Sequence, residues 1–349
     1  MLPDDLKRHI YKDVSHDERY RNKHLALLGN PKKTPYNIYA IFKDIELNRI
    51  TDIKSLLFPE MIVSDAVRIV LYKIYHDLKQ NKQRLSEKND IYALEEFRVN
   101  LKKSKILLDE FQHIFNKDMH KKTRQHISLI EKTIAVDKDL TVIRSNMNLL
   151  ESAFSEKEVN SFISRIDNRI EVEKAKVKNF FKTREFAIIF SQFELLIKEQ
   201  NNTYPGHHSN TSIGFVIKKT VYRRFKKLLK VSNKYDYCHD LESYRKIKKS
   251  LYNTQVLLDS FSSLYTQKEQ KKMQTLLFNS LKNILSFIEL NKRALIIKTY
   301  IRHSDKELQE QHKMIKIIAK KRKSIEKHLN YEIDKSIEEL KKNRSLFKR

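Results

Sequence analysis

Residues 95–111 read Glu-Glu-Phe-Arg-Val-Asn-Leu-Lys-Lys-Ser-Lys-Ile-Leu-Leu-Asp-Glu-Phe, and this segment is the clearest sign of the fold class. Its apolar residues recur every three or four positions, which is the spacing of one face of an amphipathic helix. Because side chains at this spacing lie above one another, Arg98, Lys102 and Lys105 form a row of cations beside that face, with Glu95 at its start. The predicted buried face consists of Phe97, Leu101, Ser104, Leu108 and Phe111.

A similar segment follows later, where residues 245–261 read Arg-Lys-Ile-Lys-Lys-Ser-Leu-Tyr-Asn-Thr-Gln-Val-Leu-Leu-Asp-Ser-Phe. Two basic helices with one pattern indicate an internal duplication. We predict an N-terminal extension of unknown role over residues 1–60 and a domain over residues 61–345, with repeats at about 61–200 and 210–345. The second predicted face consists of Ile247, Leu251, Thr254, Leu258 and Phe261.

The remaining sequence also favours helices. Only three Gly and five Pro are present among 349 residues, which leaves few positions for the tight turns of a sheet protein. We predict an all-α fold in which each repeat forms an antiparallel helical bundle. Apolar spacing predicts helices at residues 38–50, 64–88, 91–115, 120–134, 156–181, 183–200, 213–231, 241–264, 268–285, 289–301 and 304–342.

The charge of the chain indicates its partners. Lys and Arg number 71 against 44 Asp and Glu, which gives a formal net charge of +27. Such an excess of positive charge favours binding to a polyanion, which could be nucleic acid, inorganic polyphosphate or an anionic membrane surface. The alternative is a lysine-rich surface that is merely solvated.

Other features bear on location. The single cysteine, Cys238, forms no internal disulfide, as in proteins of a reducing cytosol. No apolar run is long enough to span a membrane, and the first residues lack the apolar stretch of a signal peptide. We expect a cytoplasmic protein.

The motifs resemble the CHAD domain, the conserved histidine α-helical domain. Its first repeat carries His-x-x-Arg-Val-x-x-Arg-Arg-x-Arg, and residues 95–105 match this pattern at Arg98, Val99, Lys102, Lys103 and Lys105. The family motif Leu-Gly-x-x-Arg-Asp-x-Asp-Val is similar to residues 134–142, which include Lys138. The Lys-Arg-x-Arg-Tyr element of its second repeat is similar to residues 248–252, which include Lys248, Lys249 and Tyr252.

The resemblance implies two helical bundles around a basic central cavity that binds inorganic polyphosphate, with an association with polyphosphate granules. We predict that the anion contacts are Arg98, Lys102, Lys103, Lys105, Lys138, Arg245, Lys248, Lys249 and Tyr252. The family histidine is replaced by Glu95. In the second repeat two registers are open, with Arg245 or Leu241 at the histidine position.

No catalytic motif supports an enzymatic function, because the sequence has no P-loop, GxGxxG, HExxH or nucleophile elbow. Glu95 and Glu96 are neighbours and face different ways on a helix, so they form no acid–base pair. We therefore predict no catalytic residue, metal site or cofactor. The histidines considered as ligands, which lack matching spacing or lie in a polar loop, are His113, His120, His126, His207 and His208.

Two alternatives to polyphosphate stay open. Residues 222–227, Tyr-Arg-Arg-Phe-Lys-Lys, interleave aromatic rings with cations, as surfaces that stack nucleic-acid bases do. The competing interpretation places Tyr222 and Phe225 in the core. A third possibility is a scaffold whose last helix, residues 304–342, docks a protein partner.

Overall fold

The computed structural model describes residues 37–88, 90–134, 156–199, 211–234, 239–302 and 308–348. Within these ranges the chain forms ten α-helices and no strand, which confirms the predicted all-α class. None of the described helices is long and apolar enough to cross a membrane. The helices are α1 (Ile38–Glu46), α2 (Val63–Lys88), α3 (Ile91–Glu110), α4 (Lys117–Thr133), α5 (Glu156–Lys182), α6 (Arg184–Lys198), α7 (Ile213–Lys234), α8 (Leu241–Ser260), α9 (Gln267–Arg302) and α10 (Leu308–Lys342).

Polar side chains fix the starts of several helices. Asp90 precedes α3, and its carboxylate accepts hydrogen bonds from the backbone N–H of Tyr92 at 2.9 Å and of Ala93 at 3.4 Å. Asp240 precedes α8 and accepts from the backbone N–H of Ser243 at 2.8 Å. These bonds satisfy donors that have no partner within the helix, so the two basic helices begin at defined residues.

Both basic helices end earlier than the sequence predicted. The apolar pattern extended them to Phe115 and Leu264, whereas α3 ends at Glu110 and α8 at Ser260. In each case a short 3₁₀ segment follows, at Gln112–Ile114 and Ser262–Leu264. The prediction was wrong because residues of the 3₁₀ turns are themselves buried, so the apolar pattern continues past the end of the helix.

The predicted break between residues 285 and 289 was also wrong, since α9 runs without interruption from Gln267 to Arg302. No Gly or Pro lies in this stretch. Polar side chains bond within the helix instead, where the Ser286 hydroxyl donates to the Lys282 carbonyl and Asn291 Nδ2 donates to the Phe287 carbonyl. Such bonds accommodate polar residues without ending a helix.

The described residues divide into two compact units, and helix α2 is central to the first. This unit contains the described residues of Met1–Glu131, Phe181–Ile217 and Ser260–Thr266. Helices α1, α3 and α6 pack against α2. Aromatic rings fill these contacts: Phe42 lies 4.3 Å from Tyr72, and Tyr75 lies 4.9 Å from Phe190, between ring centroids. Residues 38–56, which the sequence placed in an extension, thus share the core of α2.

The segments that precede α2 and α7 pair with each other inside the first unit. The backbone N–H of Val63 donates to the Thr211 carbonyl at 3.0 Å, and that of Ile213 donates to the Met61 carbonyl at 2.7 Å. The two bonds frame an antiparallel bridge between Ile62 and Ser212. Gly214 is required here, because a Cβ at this position would lie 2.8 Å from the Cβ of Pro59.

A buried arginine also holds the first unit together. Arg68 lies on the buried side of α2, and its guanidinium donates to the carbonyls of Ile197, at 2.6 Å, and Lys198. These are carbonyls of the last turn of α6, which lack partners within the helix. Asp65 lies 3.7 Å from the guanidinium and offsets its charge.

The second unit is built on the long helices α9 and α10. It contains the described residues of Lys132–Phe180, Lys218–Asp259 and Gln267–Arg349. Tyr244 of α8 packs on Phe287 of α9 with ring centroids 4.5 Å apart. The 3₁₀ segment Arg344–Phe347 follows α10, and its Phe347 stacks on Phe225 of α7 at 3.8 Å.

We predict that Arg68→Met lowers the free energy of unfolding by about 3–5 kcal/mol, because the change removes the guanidinium that donates to the carbonyls of Ile197 and Lys198 and offsets the charge of Asp65. Chemical denaturation measures this loss. The control Lys176→Met removes an exposed cation paired with Glu173 and costs less than about 1 kcal/mol. Equal midpoints for the two variants would contradict a structural role for Arg68.

Candidate anion-binding surfaces

The buried faces predicted for the two basic helices are confirmed. Each of the ten predicted face residues is at most 1% exposed. Two of them, Ser104 and Thr254, are polar and form hydrogen bonds within their own helices. The Ser104 hydroxyl donates to the Asn100 carbonyl and the Thr254 hydroxyl to the Ser250 carbonyl, both at 3.0 Å. A firmly packed face of this kind fixes the direction of the cations beside it.

The cations of α3 have carboxylates close by. Arg98 forms an ion pair with Glu95 one turn earlier on the same helix, and Lys105 forms one with Glu131 of α4. Arg98 is largely covered, with 11% of its side chain exposed. Lys102 between them is exposed, and Lys103 is half-buried and lies on another side of the helix. Helix α3 carries four Lys or Arg and four Asp or Glu, so its formal charge is zero.

Helix α4 holds the cation row of α3 in place from one side. Arg124 forms an ion pair with Asp109, one helical turn beyond Lys105. His120 lies 3.0 Å from the Leu108 carbonyl through Nε2 and stacks against Phe115. Burial lowers the pKa of His120, so the neutral ring, with a proton on Nε2, is the form that suits this bond.

The predicted residues of α8 lie in the second unit. Arg245 and Lys249 are exposed, while Lys248 and Tyr252 are half-buried. Glu242 approaches Arg245 only to 4.0 Å. Burial, and next the Asp259 carboxylate, raise the pKa of Tyr252, so its hydroxyl keeps its proton at neutral pH. Helix α8 carries four Lys or Arg and two Asp or Glu, a formal charge of +2.

The helix boundaries favour one of the two registers that the sequence left open. Helix α8 begins at Leu241, 150 positions after Ile91 of α3, and both helices are 20 residues long. The same offset relates the 3₁₀ segments Gln112–Ile114 and Ser262–Leu264. In this register Arg245 occupies the place of Glu95, and Lys248 that of Arg98. The second helix therefore has a cation where the first has a carboxylate.

Several other predicted groups are accounted for. Glu96 pairs with Arg84 of α2, so the adjacent carboxylates Glu95 and Glu96 have different partners, as the helical geometry predicted. Phe225 is buried, which confirms its place in the core, and Tyr222 is half-buried. In the described ranges no cluster of three or more His, Cys, Asp or Glu side chains is arranged to hold a metal ion. Lys138, Cys238, His207 and His208 lie outside the described residues.

Sequence reasoning missed the acidic partner of Lys105. Glu131 lies 26 positions away, and no short-range pattern links the two residues. It also undervalued α7, where only residues 222–227 were considered, as aromatic rings interleaved with cations. The signal there was simple, because α7 carries eight Lys or Arg and no Asp or Glu.

The fold is shared with solved structures. A crystal structure of the CHAD domain from the plant Ricinus communis superposes with a TM-score of 0.66, covering 81% of this chain and 93% of that chain at 12% identity. PptA from Streptomyces chartreusis superposes with a TM-score of 0.61, covering 79% of this chain and 99% of that chain at 9% identity. At these identities the likeness establishes the fold alone.

The sequence agrees with this class of helical protein. The CHAD domain family model matches residues 70–284, which is more than half of the chain, and the chain therefore belongs to the CHAD domain family. No curated protein matches the chain. The predicted resemblance is confirmed.

We predict that stability falls as the pH is lowered from about 7.5 to 5.5, partly through His120. Its pKa is lowered in the folded state, whereas in the unfolded chain it titrates near 6.5. Below that pH the unfolded state binds the proton first, so stability present at neutral pH is lost. His120→Gln should flatten the change of unfolding midpoint with pH, while the exposed control His113→Gln should not. An unchanged slope in His120→Gln would contradict this assignment.

Proposed function

We propose that this protein binds inorganic polyphosphate without turning it over, through cations of α3 and α8. The observation that carries the proposal is the recurrence, in a chain of the CHAD domain family, of a cation row beside the buried faces of α3 and α8. The family is associated with polyphosphate binding.

The chemistry of the surface suits a chain of phosphates. Polyphosphate carries charge along its whole length and has no bases, so cations without exposed stacking rings suffice. Lysine binds phosphate as a point charge, while Arg98 and Arg245 offer planar donors. The Tyr252 hydroxyl, which keeps its proton at neutral pH, adds a neutral donor to a phosphate oxygen. Binding of this kind releases counterions and weakens with salt.

The two helices contribute unequally in this proposal. Glu95 and Glu131 already compensate Arg98 and Lys105, and a phosphate at α3 has to compete with these carboxylates. Around Arg245 the nearest acidic group is 4.0 Å away and both side chains are exposed, so that pair is weak. Arg245 of α8 is therefore expected to give a stronger anion contact than Arg98 or Lys105 of α3.

A competition titration tests the proposal. Labelled long-chain polyphosphate is titrated with the full chain at physiological salt, in the presence of excess single- and double-stranded DNA and RNA. Retention that nucleic acid does not displace supports polyphosphate binding. Ready displacement by nucleic acid, or no binding, overturns it in favour of a general polyanion surface or a scaffold that has lost its ligand.

The double variant Arg98→Ala and Lys248→Ala should weaken polyphosphate binding about tenfold at low salt. The slope of log affinity against log salt should fall by about two, because two phosphate contacts are removed. Filter binding over a salt series measures both quantities. Unfolding curves run in parallel show whether the fold is kept, and an unchanged affinity in a folded variant would reject the site assignment.

Glu131→Gln should strengthen polyphosphate binding by about two- to fivefold, because Lys105 loses the carboxylate that compensates it. Glu87→Gln is the matched control, since it makes the same change of charge at an exposed position where the carboxylate accepts from Gln83 rather than pairing with a predicted contact. The same gain in both variants would mean that net charge alone is responsible.

A further inference from the structure

Helix α7 is the only α-helix of the described residues whose charged side chains are all positive. It carries eight Lys or Arg and no Asp or Glu, whereas every other α-helix of the described residues carries at least two acidic residues. For comparison, α3 has a formal charge of zero and α8 of +2. The helices that carry the family motifs are thus not the most positively charged helices of the described residues.

The cations of α7 lie along one side. Six of them are exposed, and apart from the adjacent pair Lys226 and Lys227 they are three or four residues apart, which places them in one band of the helix surface. From Lys219 to Lys234 this band is about 22 Å long. Residues 218–234 and helix α8 belong to the same unit. The band, called the α7 row below, consists of Lys219, Arg223, Lys226, Lys227, Lys230 and Lys234.

The core side of α7 fixes the α7 row in place. Phe225, which is fully buried, stacks on Phe347 with the ring planes at 4°. This contact places the 3₁₀ segment Arg344–Phe347 beside α7. Arg344 and Lys348 on either side of the stacked ring therefore add positive charge next to Tyr222.

This positive charge acts on the Tyr222 phenol. A hydrogen bond from Arg344, and the charges of Lys226 and Lys348, lower its pKa. A cation also lies against its ring, with Lys226 Nζ 5.6 Å from the centroid. Lowering of a phenol pKa by cations means that negative charge is stabilised at this surface.

Three cations of the α7 row lack compensation. Lys219, Lys227 and Lys230 are exposed, and they have no acidic partner in the part of the chain that the structure describes. Mutual repulsion between these three cations destabilises the folded protein. An anionic ligand relieves that repulsion when it binds.

We propose that the α7 row is a second binding surface for inorganic polyphosphate, which holds long chains whose other phosphates contact α8. The ligand is a phosphate chain rather than a nucleic acid, since Phe225 is buried and the half-buried Tyr222 ring already has Lys226 against it, so neither ring is an open stacking platform. Phe215, the exposed ring of α7, precedes the α7 row. The proposal rests on the proposed function. It adds that affinity depends on chain length, because a short anion does not reach along the α7 row.

The test uses the full chain and the triple variant Lys219→Gln, Lys227→Gln and Lys230→Gln. The matched control is Lys268→Gln, Lys271→Gln and Lys272→Gln, which removes three exposed lysines from α9 in the same unit. Glutamine keeps the helix propensity of lysine, so both variants should fold, and circular dichroism checks this. The ligands are long-chain polyphosphate, tripolyphosphate and a single-stranded RNA of similar length.

The α7 variant should bind long-chain polyphosphate about tenfold more weakly at low salt, with a salt slope lower by about three. Its affinity for tripolyphosphate should match that of the control. Equal affinities of the two variants for long chains would overturn the inference, while leaving the proposed function intact if the wild-type protein binds. Loss of RNA binding with unchanged polyphosphate binding would reassign the α7 row to nucleic acid. Failure of the wild-type protein to bind any polyphosphate would reject the proposed function itself.

Discussion

The burial of helix α2 is the constraint on which the first unit depends. Residues 63–72 of this helix are all buried, against α1, α3 and α6. A helix covered on every side must satisfy any polar group it carries from within the protein. Arg68 meets this condition by donating to the end of α6. The same packing holds Phe97 of α3 in the core, and the cations of α3 take their direction from that face.

The periodic part of the fold was predictable. The ten face residues of α3 and α8 were identified from spacing alone, because burial of one side of a helix leaves a repeat in the sequence. The ends of these helices could not be predicted in this way, since Phe111 and Phe261 are as buried as the residues before them. When the turn after a helix is itself buried, no polar residue in the sequence marks the end of the helix. The single helix α9 was misjudged for a related reason, as its polar residues bond within the helix instead of ending it.

The candidate surfaces were predictable in part. The cation rows follow from the sequence, whereas the carboxylate that neutralises Lys105 comes from a different helix and depends on how α3 and α4 pack. A prediction from the charges of one helix therefore overestimates the positive electrostatic potential at its surface. Helix α7 illustrates the opposite case, because the absence of acidic residues within 22 positions is visible in the sequence and needs no packing to interpret. The domain boundaries at residues 60 and 200, and the internal duplication, stay predictions.

The bridge between Ile62 and Ser212 has a consequence for how the protein forms. The first unit is assembled from three separated stretches, the last of which is Ser260–Thr266. During synthesis, α2 and α3 leave the ribosome long before the residues that complete their surroundings. Pairing across such a distance closes a long loop, which is slow and exposes apolar surface in the meantime. The early helices of this chain therefore keep apolar faces uncovered until synthesis has reached residue 266.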